Sequence, residues 1–293
     1  MEIRTLRKSD ACTAAKIWQD IFEESDSFVQ WLFTSRFYPE YSACAEDQGQ
    51  IVSVIHGMPL PLRFQDRIYT GAMLCGVATL PSHRGLGLMK QLMAYEIQLL
   101  KERGVQLLTH TPVDPAIYYS CDQFPCARTG EFIYERKGGC TPGLQEFDPD
   151  RAFAAYQHFA IPYSGIVWRD KALMKLKADD YLSDQIRPYM LESGAYCFAD
   201  IDGDGIATCQ ELAYFQESEV QQLLEAIPAR SVTGRLPADF ANTRIFQKWH
   251  TRKHAVLYPL DPEITADMPK ELSPGRQMEL LCEGLNCFIW ETY

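Results

Sequence analysis

The segment Leu80–Met89 constrains the fold of this chain more than any other part of its sequence. It follows an apolar run from Ala72 to Thr79, which predicts a buried strand, and it precedes an amphipathic stretch to Arg103, which predicts a helix. A strand that turns through glycines into a helix leaves unpaired main-chain N–H groups near the positive end of the helix dipole. Such a turn suits phosphate. A tight turn that binds nothing is the alternative.

The glycines of this segment indicate how a phosphate would be held. At Gly85 and Gly87 a side chain would keep a pyrophosphate away from the backbone, and Arg84 adds a positive charge at the rim. The dinucleotide pattern G-x-G-x-x-G is not met, because Lys90 stands where its third glycine belongs. The Walker A pattern is also absent from the sequence. The segment therefore predicts neither a dinucleotide site nor a nucleoside triphosphatase.

The loop resembles motif A of the GNAT superfamily of acyl-CoA-dependent N-acetyltransferases, Q/R-x-x-G-x-G/A, through Arg84 and Gly87, with Met89 in place of the final small residue. Together with Pro81 and His83 it is similar to the P-x-H-R-x-x-G loop of the enhanced-intracellular-survival (Eis) branch. The resemblance implies an α/β fold, of the α+β GNAT type, with a mixed central sheet flanked by helices. It also implies acetyl-CoA as co-substrate and no metal.

The resemblance assigns the acyl-CoA contacts to two stretches. Main-chain amides of residues 85–90 would hold the pyrophosphate, and residues 77–79 would pair with the pantetheine arm. The expected cofactor-binding residues are Val77, Ala78, Thr79, Arg84, Gly85, Leu86, Gly87, Leu88, Met89 and Lys90.

A second element follows a predicted short strand, Val105–His110. The segment Ala116–Phe124 resembles the family's "lYxxxGF" sequence, in which the tyrosine is the general acid, and Tyr119 takes that position. Gln123 replaces the usual glycine. Ordinary half-buried packing is the alternative role for Tyr119.

Three further residues are candidates around the reaction centre. In Eis-type enzymes the terminal carboxylate reaches the active site, so Tyr293 is a candidate catalytic residue, although a structural role is the favoured interpretation. Glu24 and Asp26 are candidates for binding the acceptor amine.

Composition limits the partners. The chain has 293 residues, 46% of them hydrophobic, and a net charge of −11, which disfavours nucleic acid and is compatible with cationic amines. Its apolar runs are short, which predicts no membrane span, and its start predicts no signal region. Ten cysteines without C-x-x-C pairs favour reduced thiols in the cytoplasm. The sequence permits a homo-oligomer without identifying one.

A stretch of turn-forming residues, Lys137–Gly143, predicts a domain boundary. The resemblance to Eis-type enzymes implies an N-terminal GNAT acetyltransferase domain, 1–137, and a second, degenerate GNAT-like lobe with a C-terminal tail, 138–293. The second lobe has no glycine loop, so only the first is expected to bind acyl-CoA. Predicted helices cover residues 10–24, 25–37, 88–103, 116–124, 148–158, 171–176 and 217–226. Predicted strands cover residues 3–6, 42–45, 50–56, 68–79, 105–110, 132–136, 195–199, 206–214, 243–246 and 254–258.

One motif is typical of a calcium site. Asp200, Asp202, Asp204 and Glu211 match the EF-hand calcium pattern, but the preceding residues are strand-like, so a hairpin turn is the favoured interpretation. Four histidines, at 56, 110, 250 and 254, are expected in the core, at a rim, in loops or at strand ends rather than as metal ligands.

The sequence leaves three functions open. The first is an N-acetyltransferase that acts on a small amine or a lysine side chain. The second is a catalytically degenerate acyl-CoA sensor, and the third is a calcium-regulated interaction protein.

Overall fold

The computed structural model describes residues 1–138 and 143–291, which separate into two compact units. Unit 1 contains Met1–Ala127, His254–Leu285 and Glu291, and unit 2 contains Arg128–Lys253 and Asn286–Trp290. Both units are discontinuous in sequence. The continuous domains 1–137 and 138–293 remain a prediction. No helix of the described chain is both long and apolar enough to cross a membrane.

The strands, in chain order, are β1 (Glu2–Thr5), β2 (Ala43–Asp47), β3 (Gln50–Phe64), β4 (Arg67–Thr79), β5 (Leu107–His110), β6 (Pro125–Glu135), β7 (Ile166–Val167), β8 (Arg187–Met190), β9 (Tyr196–Ile201), β10 (Ile206–Ala213), β11 (Ser231–Pro237) and β12 (Lys248–Pro259). The α-helices are α1 (Ala11–Phe22), α2 (Asp26–Ser35), α3 (Leu88–Glu102), α4 (Pro149–Ala160), α5 (Lys171–Ser183), α6 (Glu217–Ala226) and α7 (Pro274–Glu283). Short 3₁₀ helices include Pro81–His83, Pro115–Cys121 and Thr243–Ile245.

Unit 1 is built on a mixed sheet, as predicted. Strands β1 to β4 pair antiparallel in sequence order, β4 pairs parallel with β5, and β5 pairs antiparallel with the end of β12. The parallel pair is connected through α3, because a parallel connection needs a crossover element. The predicted strand 68–79, hairpin 42–56 and helix 88–103 are confirmed as β4, β2–β3 and α3.

Alternating side chains place helices on both faces of this sheet. Ala43 and Ala45 of β2 belong to one apolar cluster with Leu92 and Met93 of α3, whereas Cys44 belongs to a second cluster with helix α1. Because successive side chains of a strand point to opposite faces, α3 and α1 cover opposite sides. The glycine loop therefore begins a helix that is anchored along its whole buried face.

Two helix starts follow the capping rules. The Ser25 hydroxyl accepts the N–H of Phe28 at 3.2 Å before α2, and the Asp148 carboxylate accepts the N–H of Asp150 at 2.9 Å before α4. The start of helix α1 differs from the predicted start at residue 10. The Asp10 carboxylate accepts a hydrogen bond from Arg4 at 2.7 Å, and a 3₁₀ turn precedes the helix.

Unit 2 repeats part of the same arrangement. Its strands are ordered β6-β11-β10-β9-β8, with β10 and β11 parallel and joined through α6. The β10–α6–β11 segment thus corresponds to β4–α3–β5 of unit 1. Helices α4 and α5 pack with each other, and the core includes aromatic side chains such as Phe198 and Trp290.

The predicted strand Thr243–Phe246 is wrong, because residues Thr243–Ile245 form a 3₁₀ turn. The carboxylate of Glu217 accepts the N–H groups of Ala241 and Asn242 at 3.1 and 3.2 Å, which holds the chain in that turn. Strands β8 and β11 and helix α7 have no counterpart in the sequence analysis.

Candidate active site

The glycine loop is open to solvent at the start of α3. Gly85 and Gly87 have φ values of +80° and +71°, a region that side chains rarely adopt. A Cβ atom added to Gly85 would meet no atom within 4 Å, and at Gly87 it would only touch the end of Gln91. The glycines are therefore required by the turn itself, and they leave free space above the backbone.

The main-chain donors of this loop are unused. Within the described residues, the N–H groups of Gly85, Leu86 and Gly87 have no acceptor, and no side chain caps α3. The first main-chain bond of the helix runs from the Gln91 N–H to the Gly87 carbonyl oxygen, at 3.3 Å. A cluster of donors thus lies at the positive end of a helix of 15 residues, which is the arrangement that binds phosphate.

Three side chains of the loop have partners outside this group of donors. The Sδ atom of Met89 lies 3.9 Å from Sγ of Cys121, so the residue that replaces the motif's small amino acid packs sideways. The Arg84 Nε donates to the Thr79 carbonyl oxygen at 3.2 Å. The His83 ring lies 2.8 Å from the Ser82 hydroxyl and 3.5 Å from Asp47.

Strand β4 separates from β5 beside this loop. The two strands are paired only over Gly71–Met73, although β4 continues to Thr79. The register with β3 shifts between Val54 and His56, and neither Gly76 nor Val77 has a partner there. This bulge and the parted strands leave one edge of residues 74–79 without a neighbouring strand among the described residues. An extended ligand arm can pair with such an edge.

Tyr119 lies on the turn that follows β5 in the chain. The predicted helix 116–124 is a 3₁₀ helix, Pro115–Cys121. The Asp114 carboxylate caps its start by accepting a main-chain N–H at 3.0 Å. The Tyr119 side chain is 48% exposed and stacks on Phe124 with ring centroids 5.4 Å apart. The ring is therefore partly open to solvent, and the role of Tyr119 as general acid remains a prediction.

The glycine that Gln123 replaces is not needed for the turn. Asp122, one residue earlier, adopts the left-handed conformation with φ of +61°, and its carboxylate accepts the N–H of Gly275 at 2.9 Å. Gln123 is fully buried, and its Oε1 lies 2.6 Å from Nε2 of His110. Burial lowers the pKa of His110 to about 4, so this pair is a neutral part of the core.

The remaining predicted residues are spread out. Asp26 is exposed at the start of α2, where its carboxylate contacts Gln19 and lines a shallow groove between α1 and α2. Glu24 is half-buried just before that helix. Tyr293 lies outside the described residues, so its catalytic role remains a prediction. His250 and His254 both lie on strand β12.

The EF-hand-like segment is a β-hairpin, as the favoured interpretation has it. Strands β9 and β10 pair antiparallel around it, and Asp202 closes the turn by accepting the N–H groups of Asp204 and Ile206 at 2.9 Å. The last expected calcium ligand, Glu211, is buried in a two-pronged ion pair with Arg169 at 2.7 Å. Burial alone raises the pKa of Glu211, but Arg169 lowers it below the usual range. The carboxylate is thus held in the core of unit 2, away from the turn.

The start of α6 differs from the start of α3. The Glu219 carboxylate accepts the N–H groups of Phe215 and Gln216 at 2.8 and 2.9 Å. This capping arrangement uses the donors that would face a phosphate and adds a negative charge.

Comparison with known proteins agrees with this geometry. A family model described as an acetyltransferase (GNAT) domain matches residues 2–123. This part of the chain is a GNAT domain. The matched segment contains the glycine loop, the bulge in β4 and Tyr119, and the match indicates acyl transfer as the general class of reaction. The comparison with curated protein sequences finds no match.

Solved GNAT structures have the same fold. The chain is similar to a probable N-acyltransferase from Enterococcus faecalis V583, with a TM-score of 0.69 and 14% identity over 89% of this chain and 73% of that one. It is also similar to Eis1 from Mycobacterium abscessus, with a TM-score of 0.67 and 13% identity over 91% of this chain and 76% of that one. For a GCN5-related N-acetyltransferase from Kribbella flavida the TM-score is 0.67 and the sequence identity is 15%, and the match covers 90% of this chain and 73% of that one. At these identities the likeness concerns the fold.

Proposed function

We propose that the protein is an acetyl-CoA-dependent N-acetyltransferase that transfers an acetyl group to the primary amine of a small molecule or a lysine. The observation that carries the proposal is the set of N–H groups at Gly85, Leu86 and Gly87 without an acceptor among the described residues, placed at the start of α3. A diphosphate supplies the oxygens that such donors need. The open edge of β4 beside them supports an extended, amide-containing arm such as pantetheine.

The reaction needs an oxyanion site, a general acid and a base from the chain. The neutral amine attacks the thioester carbon, so that a C–N bond forms and, after a tetrahedral oxyanion, the C–S bond breaks. Main-chain N–H groups near the bulge at Gly76 and Val77 would stabilise the oxyanion, a contribution of roughly 3 kcal/mol. Tyr119 would donate its proton to the departing thiolate, and the proton that the amine loses would pass to a base. Tyr293 stays a candidate for this role, with a structural role as the favoured alternative.

Substitution of one loop glycine tests the phosphate site. Gly85→Ala would place a methyl group where the diphosphate is expected, and we expect coenzyme A to bind at least tenfold more weakly in calorimetry. Gly104→Ala is a matched control, since Gly104 has a φ of +76° and equally empty surroundings at the other end of α3. Both variants take on the same backbone strain, so a difference in affinity isolates the ligand contact. Equal affinities would refute the proposal.

Turnover separates an enzyme from a sensor. Release of free thiol from acetyl-CoA in the presence of amines is the expected result. Binding of acetyl-CoA without thiol release from any amine would instead support the catalytically inactive sensor.

A further inference from the structure

A groove lies on one face of the sheet in unit 2, and we call it the sheet groove. Its described lining residues come from strands β6, β10, β11 and β12 of this unit. Its volume is about 380 Å³. Sites for small molecules occupy roughly 300–1,000 Å³, so the sheet groove is large enough for a small ligand.

The register of the strands explains where the sheet groove lies. Thr208 of β10 pairs with Thr233 of β11, which pairs with Ile133 of β6, so these three side chains form one row on the same face. Helix α5 covers this face farther along the sheet, where Tyr181 stacks on Phe198 of β9 with ring centroids 4.7 Å apart. Thr208 is exposed, which shows that the cover ends before the row begins.

The sheet groove carries positive charge. Arg235 of β11 and Lys248 of β12 line it, and Lys248 is exposed and forms no ion pair within the described residues. The carboxylate among its described lining residues is Glu131, which contacts Arg252 at 2.6 Å and His250 at 3.0 Å. Arg252 therefore offsets the charge of Glu131. The groove stays cationic on a chain whose net charge is −11.

The guanidinium of Arg235 is the half-buried cation of the sheet groove. Burial lowers the pKa of Arg235, although the nearby Glu131 raises it. A further negative charge in the groove would stabilise the charged guanidinium. A guanidinium presents its N–H donors as a planar fork, which matches the two oxygens of a carboxylate.

The rest of the sheet groove is mainly apolar. Apolar atoms form most of its wall, and Ile133 belongs to its floor. The Thr233 hydroxyl donates to the Ala207 carbonyl oxygen at 3.2 Å, and the Gln210 amide donates to Asp200 at 2.9 Å. These donors are thus already used within the sheet. A ligand that fits both parts of the groove combines an anionic group with an apolar body.

We propose that the sheet groove binds a small organic carboxylate, whose carboxylate group contacts Arg235 and Lys248 and whose apolar body lies on the strands at Ile133. A cationic ligand would face two positive charges there. Inorganic phosphate has no apolar body and would leave the floor uncovered. The site lies within unit 2, so this inference goes beyond the proposed function and does not depend on it.

Calorimetry with matched probes tests the class of ligand. Hexanoate, hexanamide and hexylamine share one chain length and differ in the charge of the head group, and inorganic phosphate supplies an anion without a chain. We expect hexanoate to bind at least tenfold more tightly than each of the other three. Absence of hexanoate binding, or equal or tighter binding of any other probe, would overturn the inference.

Neutral variants of the two cations test the location. Arg235→Gln and Lys248→Gln should each weaken hexanoate binding at least tenfold. Arg187→Gln and Lys175→Gln are the matched controls, because both residues are exposed in unit 2 and neither lines the sheet groove. We expect both controls to bind hexanoate as the unaltered protein does.

The exposed variant keeps the test decisive if the half-buried one does not fold. Lys248→Gln removes a charge from an exposed side chain, so it should leave thermal unfolding unchanged. Hexanoate affinity that is unchanged in Lys248→Gln, or that falls equally in the controls, would overturn the proposal. Thiol release from acetyl-CoA is measured separately, so failure of hexanoate binding leaves the proposed function untouched.

Discussion

At the scale of single residues, Tyr119 is the side chain with the sharpest chemical expectation. We predict that Tyr119→Phe lowers kcat by about 10²-fold or more, because general acid catalysis contributes that much, while the affinity for acetyl-CoA stays the same. Tyr118→Phe is the matched control. Its ring packs on His110 at 4.6 Å, and burial raises the pKa of Tyr118 to about 12, as expected of a packing residue. Equal losses of turnover and binding in Tyr119→Phe would assign it a packing role.

Glu96 gives a second prediction at this scale. Its side chain is fully buried on α3, its carboxyl oxygens have no hydrogen-bond partner within the described residues, and Oε1 would lie 2.7 Å from a Cβ atom at Gly57. Burial raises the pKa of Glu96 well above its usual range. The folded state therefore binds a proton that the unfolded chain, with a pKa of about 4.3, releases.

The sign of the pH dependence follows from this difference. Stability contributed by protonated Glu96 is present below pH ~4.3 and is lost as pH rises toward the folded pKa, at about 1.4 kcal/mol per pH unit. Glu96→Gln should be more stable than the unaltered protein at pH 8 and nearly equal to it at pH 4, in urea unfolding. Glu102→Gln, at the exposed end of α3, should show no such difference. Parallel pH profiles for the unaltered protein and Glu96→Gln would contradict the prediction.

At the scale of elements, the 3₁₀ helix that carries Tyr119 is fixed by a distant contact. Asp122 ends it with a left-handed conformation, and its carboxylate holds Ser273 and the N–H of Gly275 at the start of α7. A Cβ atom at Gly275 would lie 1.7 Å from the Asp122 carbonyl oxygen, so these two segments pack backbone against backbone. The position of Tyr119 thus depends on residues about 150 positions later in the chain.

Two substitutions separate the conformation of this turn from its hydrogen bonds. Asp122→Gly keeps the positive φ and removes the carboxylate, and we expect a loss of about 1–2 kcal/mol of stability. Asp122→Ala removes the carboxylate and also strains the backbone, so it should cost about 1 kcal/mol more. Thermal unfolding of both variants measures the difference. If Asp122→Ala is the more stable of the two, the left-handed conformation of Asp122 does not limit the stability of this 3₁₀ helix.

Prediction from sequence succeeded for elements whose signal is local. Strand β4, helices α3 and α6 and the β9–β10 hairpin follow from periodicity and turn residues within a few positions. Strand β11 contains Gly234 and Pro237, and it is recognisable only from its register with β6 and β10. The turn at Thr243 depends on Glu217, which lies about 25 residues earlier in the sequence.

At the scale of the whole molecule, the two similar β–α–β segments differ in their capacity for a phosphate. The donors at the start of α3 have no acceptor among the described residues, whereas Glu219 accepts those at the start of α6. We therefore predict that calorimetry gives one coenzyme A per chain. In Gly85→Ala all of the coenzyme A binding that calorimetry detects should become weaker. A second site, or strong binding retained by that variant, would show that unit 2 also binds the ligand.

The sequence by itself determined the strand, glycine loop and helix that form the proposed anion site, because positive φ, capping and side-chain periodicity act between near neighbours. The resemblance of a short motif also singled out Tyr119 as the proposed general acid. Only the tertiary structure decided that Gln123 pairs with His110, that Asp122 holds Ser273, and that an aromatic wall encloses His56. The surroundings of a buried polar side chain depend on segments that are distant in sequence and meet only after folding.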